Sequence, residues 1–203
     1  MVGFGRMPNC QDPPAIIVRT PQTKEQLMET PAITLEPVRP DDMPAYVQRM
    51  QDSFTQAARG AFPDFPEVIP PERDIQQSLD APGAEALQVV CNGEFVGGAI
   101  VSGDDTDKLL DFLFIDTACQ DGHFGYATWC ALEARYPDAR HWELVTPYHE
   151  KRNIHFYVNR CGFHITEHYN NHHSDPHFPQ EEAGDYPGED GGLFKFEKVM
   201  ARD

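Results

Sequence analysis

The sequence predicts a mixed α/β fold, and three observations carry that prediction. Two β-rich runs, 86–91 and 94–102, flank Asn92-Gly93, a two-residue hairpin signal that makes them antiparallel neighbours. A third such run, 109–115, passes through a glycine-bearing turn into a helical pattern at 124–136, closed by Pro137-Asp138, and returns to strand at 141–146, a β-turn-α-β unit. Met43, Tyr46, Val47, Met50 and Phe54 recur at helical spacing, as an amphipathic helix packed on a sheet requires.

The remaining elements follow in chain order. The alternating run 33–38 suits a first strand. Asp41 and Asp42 are suited to capping the first helix, with Pro44 in its first turn. After a proline-rich connection at 62–71, residues 72–79 read as a second helix ending near Ala81-Pro82-Gly83. Residues 153–161 are helical, with Ile154, Tyr157, Val158 and Cys161 on one face, and 163–169 and 193–199 are the last strands. Between these strands, 170–192 is acidic, devoid of Lys and Arg, and long enough to expect a surface loop near a substrate entrance. Residues 1–32 read as an N-terminal extension, and 33–203 as a single domain without internal repeats.

Composition narrows the function. A formal net charge of −17 disfavours nucleic acid, whose recognition relies on clustered Lys and Arg, and suits a cationic substrate or simple solubility. The five cysteines are scattered without CxxC spacing, so reduced thiols are expected. With no run of about 18 apolar residues and no signal-peptide pattern, the expectation is a soluble, cytoplasmic protein without a membrane partner.

The chemistry concentrates at the turn Gln120-Asp121-Gly122-His123-Phe124-Gly125-Tyr126-Ala127. A strand-to-helix turn of this kind directs backbone N–H groups and the positive end of the helix into one concavity, where a pyrophosphate fits. Gly122 and Gly125 permit close backbone approach, and Ala127 keeps the inward helix face low. Two glycines in an unliganded tight turn would look the same. The order of residues decides, because the turn resembles the Gln/Arg-x-x-Gly-x-Gly/Ala acetyl-coenzyme A signature of the GNAT N-acetyltransferase superfamily. Gln120 and Gly125 coincide with that signature, while His123 stands at its middle glycine and Gly122 lies one step earlier. The blocks 142–148 and 151–163, with Asn153, Tyr157 and Gly162-Phe163, resemble the same family, most closely an uncharacterised bacterial subgroup. Tyr157 and Gly162 stand five apart where many relatives have four, which points to an extra residue at the helix end.

This resemblance implies a mostly antiparallel central sheet of about seven strands flanked by about four helices, with a splay between the fourth and fifth strands. It implies acetyl-CoA as cosubstrate, bound by the backbone of Leu113 and Ile115, by the turn from Gln120 to Ala127, and by Asn153, which also suits a helix N-cap. The thioester would lie beside residues 143–145. Direct attack by an amine in a ternary complex requires no covalent intermediate. Tyr157 would protonate the departing thiolate, and its competing reading is aromatic packing. Asp111 and Glu143 are the nearest candidates for accepting the amine proton, although either also suits an ordinary strand position. His168, His172, His173, Asp175 and His177 match no standard metal spacing, and no metal is expected. The alternative function is a catalytically inactive acyl-CoA sensor. The acceptor, primary small-molecule amine or protein amino group, stays open, as does the oligomeric state.

Overall fold

The computed structural model describes residues 31–65, 67–119, 123–170, 173 and 192–200. Its elements are β1 (Ile33–Pro37), α1 (Met43–Ala61), α2 (Glu72–Asp80), β2 (Glu85–Cys91), β3 (Glu94–Gly103), β4 (Asp107–Ile115), α3 (Phe124–Arg135), β5 (His141–Pro147), α4 (Lys151–His155), β6 (His164–Tyr169) and β7 (Leu193–Val199). The seven strands form one sheet in the order β1-β2-β3-β4-β5-β7-β6, antiparallel throughout except for β4 and β5. The expected seven-stranded mixed sheet with four helices is therefore present.

At the β2–β3 hairpin both Asn92 (φ 53) and Gly93 (φ 83) adopt positive φ, as the tight two-residue turn requires. One sheet face carries Trp129 and Leu132 of α3 against Trp142, Leu144 and Phe196. The other carries Tyr46 and Met50 of α1 and Ile75 of α2 against Ile100 and Phe114. Tyr46 lies flat enough to donate its hydroxyl to the Ala99 carbonyl at 3.0 Å, and it does so over Gly98, where any Cβ would collide with its ring. The glycine is thus part of the helix-to-sheet contact.

Two helix ends depart from the sequence reading. Residues 40–42 form a 3₁₀ turn, and Asp42, although it holds the N-cap position of α1 as expected, makes no side-chain capping bond and instead accepts from Arg39 Nε at 2.7 Å. The helix expected over 153–161 is α-helical only through His155, after which Phe156–Arg160 form a π turn, closed by Cys161 N–H donating to the Phe156 carbonyl at 3.1 Å. A π turn adds one residue without losing the axis, so the expected extra residue before Gly162 (φ 78) is absorbed there.

Residues 1–30, the bulk of the expected extension, lie outside the described residues, as do Gln120, Asp121 and Gly122 and most of 170–192. No helix among the described residues is long and apolar enough to cross a membrane.

Candidate active site

The site begins where two strands part. β4 and β5 pair in parallel only at Asp107↔His141, Lys108↔Trp142 and Leu109↔Glu143, although β4 runs on to Ile115 and β5 to Pro147. Beyond Leu109 the two strands splay, which leaves backbone groups on both without a strand partner. Which groups face the gap follows from one bond: the Asp116 N–H donates to the Val96 carbonyl on β3 at 2.9 Å. Alternation then turns the N–H and C=O of Ile115 and Leu113 away from β3 and toward β5.

A cavity of about 970 Å³ occupies the gap and reaches α1 and α2 on one side, α3 and α4 on the other. Leu113, Ile115, His123, Phe124, Gly125 and Tyr126 line it, as do Asp111, Glu143, Asn153 and Tyr157. Ala127 does not; it is buried at 3% exposure inside α3. The sequence candidates among the described residues are otherwise brought to one place.

At the α3 end, His123 is the helix N-cap with φ 57 and ψ 14, and its side chain makes no capping hydrogen bond. This left-handed conformation is the one a glycine adopts without strain, so the histidine that stands at the signature's middle glycine holds it at a backbone cost. The first-turn N–H groups of α3 keep no intrahelical acceptor and point to the cavity end of the helix. A Cβ at Gly125 would meet only the Phe156 ring at 3.6 Å, so the protein itself does not require glycine there. Arg152 and Arg160 also line the cavity, and at the α3 end Arg160 stacks over Tyr126 at 5.1 Å. These arginines went unremarked in the sequence, where helix-surface bases carry no label.

Across the gap, Tyr157 is buried among Phe156, Phe163 and Phe196 with ring centroids 5.1, 5.7 and 5.8 Å away, and burial pushes its phenol well above the ordinary tyrosine value. The phenol stays protonated across the neutral range. Asn153 is the third residue of α4, not its N-cap, and donates to Thr146 Oγ1 on β5 at 3.4 Å.

On the α1/α2 side, a β-bulge opposite Ile100 and Val101 lets both Asp111 and Phe112 follow Leu110 out of strict alternation. Asp111 is thereby held by two hydroxyls: Ser102 Oγ donates at 2.7 Å and Ser78 Oγ at 3.1 Å. Burial raises its carboxyl above the usual aspartate range, against the two serine hydrogen bonds, which lower it. Glu143 differs, because Lys195 Nζ lies 3.2 Å from it and 2.9 Å from Glu197. His141, Glu143 and Glu197 bring ligand-type atoms within 4.8 Å of one another, and the Lys195 ammonium supplies the positive charge there. Of the late histidines, His168 packs on the Phe194 ring at 5.0 Å and His173 meets Glu167 at 3.2 Å, while His172, Asp175 and His177 lie outside the described residues.

A GNAT family acetyltransferase from Elizabethkingia anophelis, solved with acetyl-CoA bound, superposes with a TM-score of 0.58 at 16% identity over 83% of this chain and 98% of that one. The ribosomal-protein-S18-alanine N-acetyltransferase from Escherichia coli gives 0.56 at 16% identity over 85% and 96%. No family model matches the sequence. The uncharacterized protein YrkN of Bacillus subtilis (strain 168) is 39% identical over 177 residues, covering 85% of this chain and 96% of YrkN. The chain belongs to the family of YrkN, and its fold is that of the GNAT superfamily. Parallel β4–β5 pairing that ends in a splay is the feature of the GNAT fold that builds the cavity here.

The Asp111 environment has a consequence for stability. Its folded-state value is raised, so the stability it contributes is present below the ordinary aspartate range and is lost as pH rises through the raised value. Asp111→Asn keeps the shape and removes the titration. The variant is expected to unfold at a higher temperature than the parent at about pH 7, with the difference shrinking toward about pH 4, the ordinary aspartate range. Thermal unfolding across that range checks it, and a variant less stable than the parent at neutral pH would show that the ionised carboxylate is a net structural support.

Proposed function

We propose that this chain transfers an acetyl group from acetyl-CoA to a primary amine by direct attack in a ternary complex. The observation that carries the reading is the cavity at the β4–β5 splay, with Tyr157 on its α4 side and Asp111 on its α1/α2 side. Supporting it are the acetyl-CoA in the Elizabethkingia structure and the CoA in the Bacillus acetyltransferase structure, which has a TM-score of 0.57 at 14% identity over 83% of this chain and 98% of that one.

In this reading the inward N–H and C=O groups of Leu113 and Ile115 hold the pantetheine arm as a missing strand would. The pyrophosphate rests on the α3 N-terminus, at His123, Phe124, Gly125 and Tyr126, with Gln120, Asp121 and Gly122 completing the turn and Asn153 a further cofactor contact. The amine lone pair attacks the thioester carbonyl carbon, a C–N bond forms and the C–S bond breaks. Asp111 takes the proton lost by nitrogen: burial raises its carboxyl and no cation holds it, whereas Lys195 holds Glu143 as an ion pair. The Tyr157 hydroxyl donates to the departing sulfur, and proton exchange through solvent restores both groups. Because burial lifts the phenol further above a thiol than an exposed tyrosine would be, much of its effect is hydrogen-bond stabilisation of the developing thiolate.

Two outcomes test this. Acetyl-CoA is expected to raise the unfolding temperature, as a ligand selective for the native state does; no shift at millimolar cofactor contradicts the reading. Tyr157→Phe keeps the packing and is expected to lower kcat by about 10²–10⁴-fold with the acetyl-CoA Kd unchanged. Thiol release with an acceptor panel measures it. Cofactor binding without turnover by the parent, or turnover unaffected by the substitution, would favour the acyl-CoA sensor or reassign the acid.

A further inference from the structure

Resting on the acetyl-transfer reading, we infer that the acceptor is a small primary monoamine with an apolar body, whose one ammonium group pairs with Asp111 while the body lies against Phe54, Ala58, Ile69 and Pro70. Charge accounting around the cavity supports the first half. Asp74 has Arg73 at 3.2 Å, Asp107 has His141 at 3.5 Å, Glu143 has Lys195 at 3.2 Å, and Glu150 has His149 at 3.9 Å. Asp74 and Glu143 thus have a cation beside them, and Asp107 and Glu150 an imidazole that is charged only if protonated. Asp111 has neither: its partners are the hydroxyls of Ser78 and Ser102, and no charged group contributes to its environment. A carboxylate taken out of water without a counter-charge is costly, and two serine donors leave lone-pair directions free on both oxygens. An incoming ammonium supplies the missing charge and uses those directions.

The second half rests on the wall around it. Phe54 and Ala58 come from α1, and Ile69 and Pro70 from the connection that leads into α2. That connection is tied down: Gln51 Nε2 donates to the Pro70 carbonyl at 3.0 Å, the Ile69 N–H donates to Thr55 Oγ1 at 3.1 Å, and Thr55 Oγ1 donates to the Ile69 carbonyl at 3.3 Å. Ser53 and Asp74 also line the cavity on this side and have partners in the Arg49 carbonyl and Arg73; Phe54, Ala58, Ile69 and Pro70 form an apolar wall, and the backbone polar groups of Ile69 and Pro70 are already engaged by α1. A second ammonium on the acceptor would be forced against it, whereas an alkyl or aryl body gains by burial there.

The test measures amine binding to protein saturated with CoA, by titration calorimetry, so that it does not depend on turnover. The probes are hexylamine, phenethylamine, the terminal six-carbon diamine and an unblocked tetrapeptide. The two monoamines are expected to bind at least about tenfold more tightly than the diamine or the peptide. Asp111→Asn should weaken the monoamines by about tenfold or more, with the CoA Kd unchanged. Ala57→Phe, at an exposed α1 position that borders the cavity, should weaken phenethylamine more than CoA. Tighter binding of the diamine or peptide, or monoamine affinity indifferent to Asp111→Asn, overturns the inference while cofactor binding still stands. Failure of CoA itself to bind overturns the acetyl-transfer reading, and the inference with it.

Discussion

Everything distinctive in this molecule depends on two parallel strands that stop pairing. Three residue pairs join β4 to β5, and beyond Leu109↔Glu143 the strands diverge. A sheet interior normally satisfies each backbone N–H and C=O through its neighbour, so a splay places polar groups in a cleft without strand partners. The cost is tolerable because the sheet is secured elsewhere, by the long β2–β3–β4 meander on one side and by β5–β7–β6 on the other. The helices finish the arrangement. α3 leaves β4 with its N-terminus at the cleft, and the α4 segment brings Tyr157 across it.

The two proton-bearing groups assigned to the cleft are held by opposite means. Tyr157 sits in an aromatic cage that keeps its phenol neutral. Asp111 is kept in place by two hydroxyls and its carboxyl is lifted by burial, with no cation beside it. Both environments push a group away from its solution behaviour without an ion pair, and in both the direction suits the role: a donor that does not ionise early and a base that is not too weak. Neighbouring Glu143, neutralised by Lys195, illustrates what Asp111 would be if the fold were satisfying charge for stability alone.

Local chemistry was legible in the sequence, and long-range chemistry was not. Asn92-Gly93 announces its hairpin because only certain residues accept two positive φ angles in succession, and alternation or helical spacing placed every strand and helix within a few residues. The five-residue spacing from Tyr157 to Gly162 pointed to an extra residue, and the π turn is its physical form. By contrast, Asp41 and Asp42 looked like caps, yet Arg39 captured Asp42. The Ser78–Asp111 contact joins residues 33 apart through a bulge that no local pattern marks, and Ser102 completes it from the neighbouring strand. Arg160 over Tyr126 likewise depends on two helices meeting. Left-handed His123 lies between these cases: the position is readable from its motif, but a histidine there conceals the conformation.

The inward backbone edge of β4 is proposed to serve as the cofactor's strand. Amide hydrogen exchange at Leu113 and Ile115 addresses it directly, since both N–H groups face the splay and not β3. These two amides are expected to exchange readily in the free protein and to become protected on addition of acetyl-CoA, while the amides of Phe112 and Phe114, turned toward β3, change far less. Protection confined to other elements, with Leu113 and Ile115 unaltered at saturating cofactor, would contradict it.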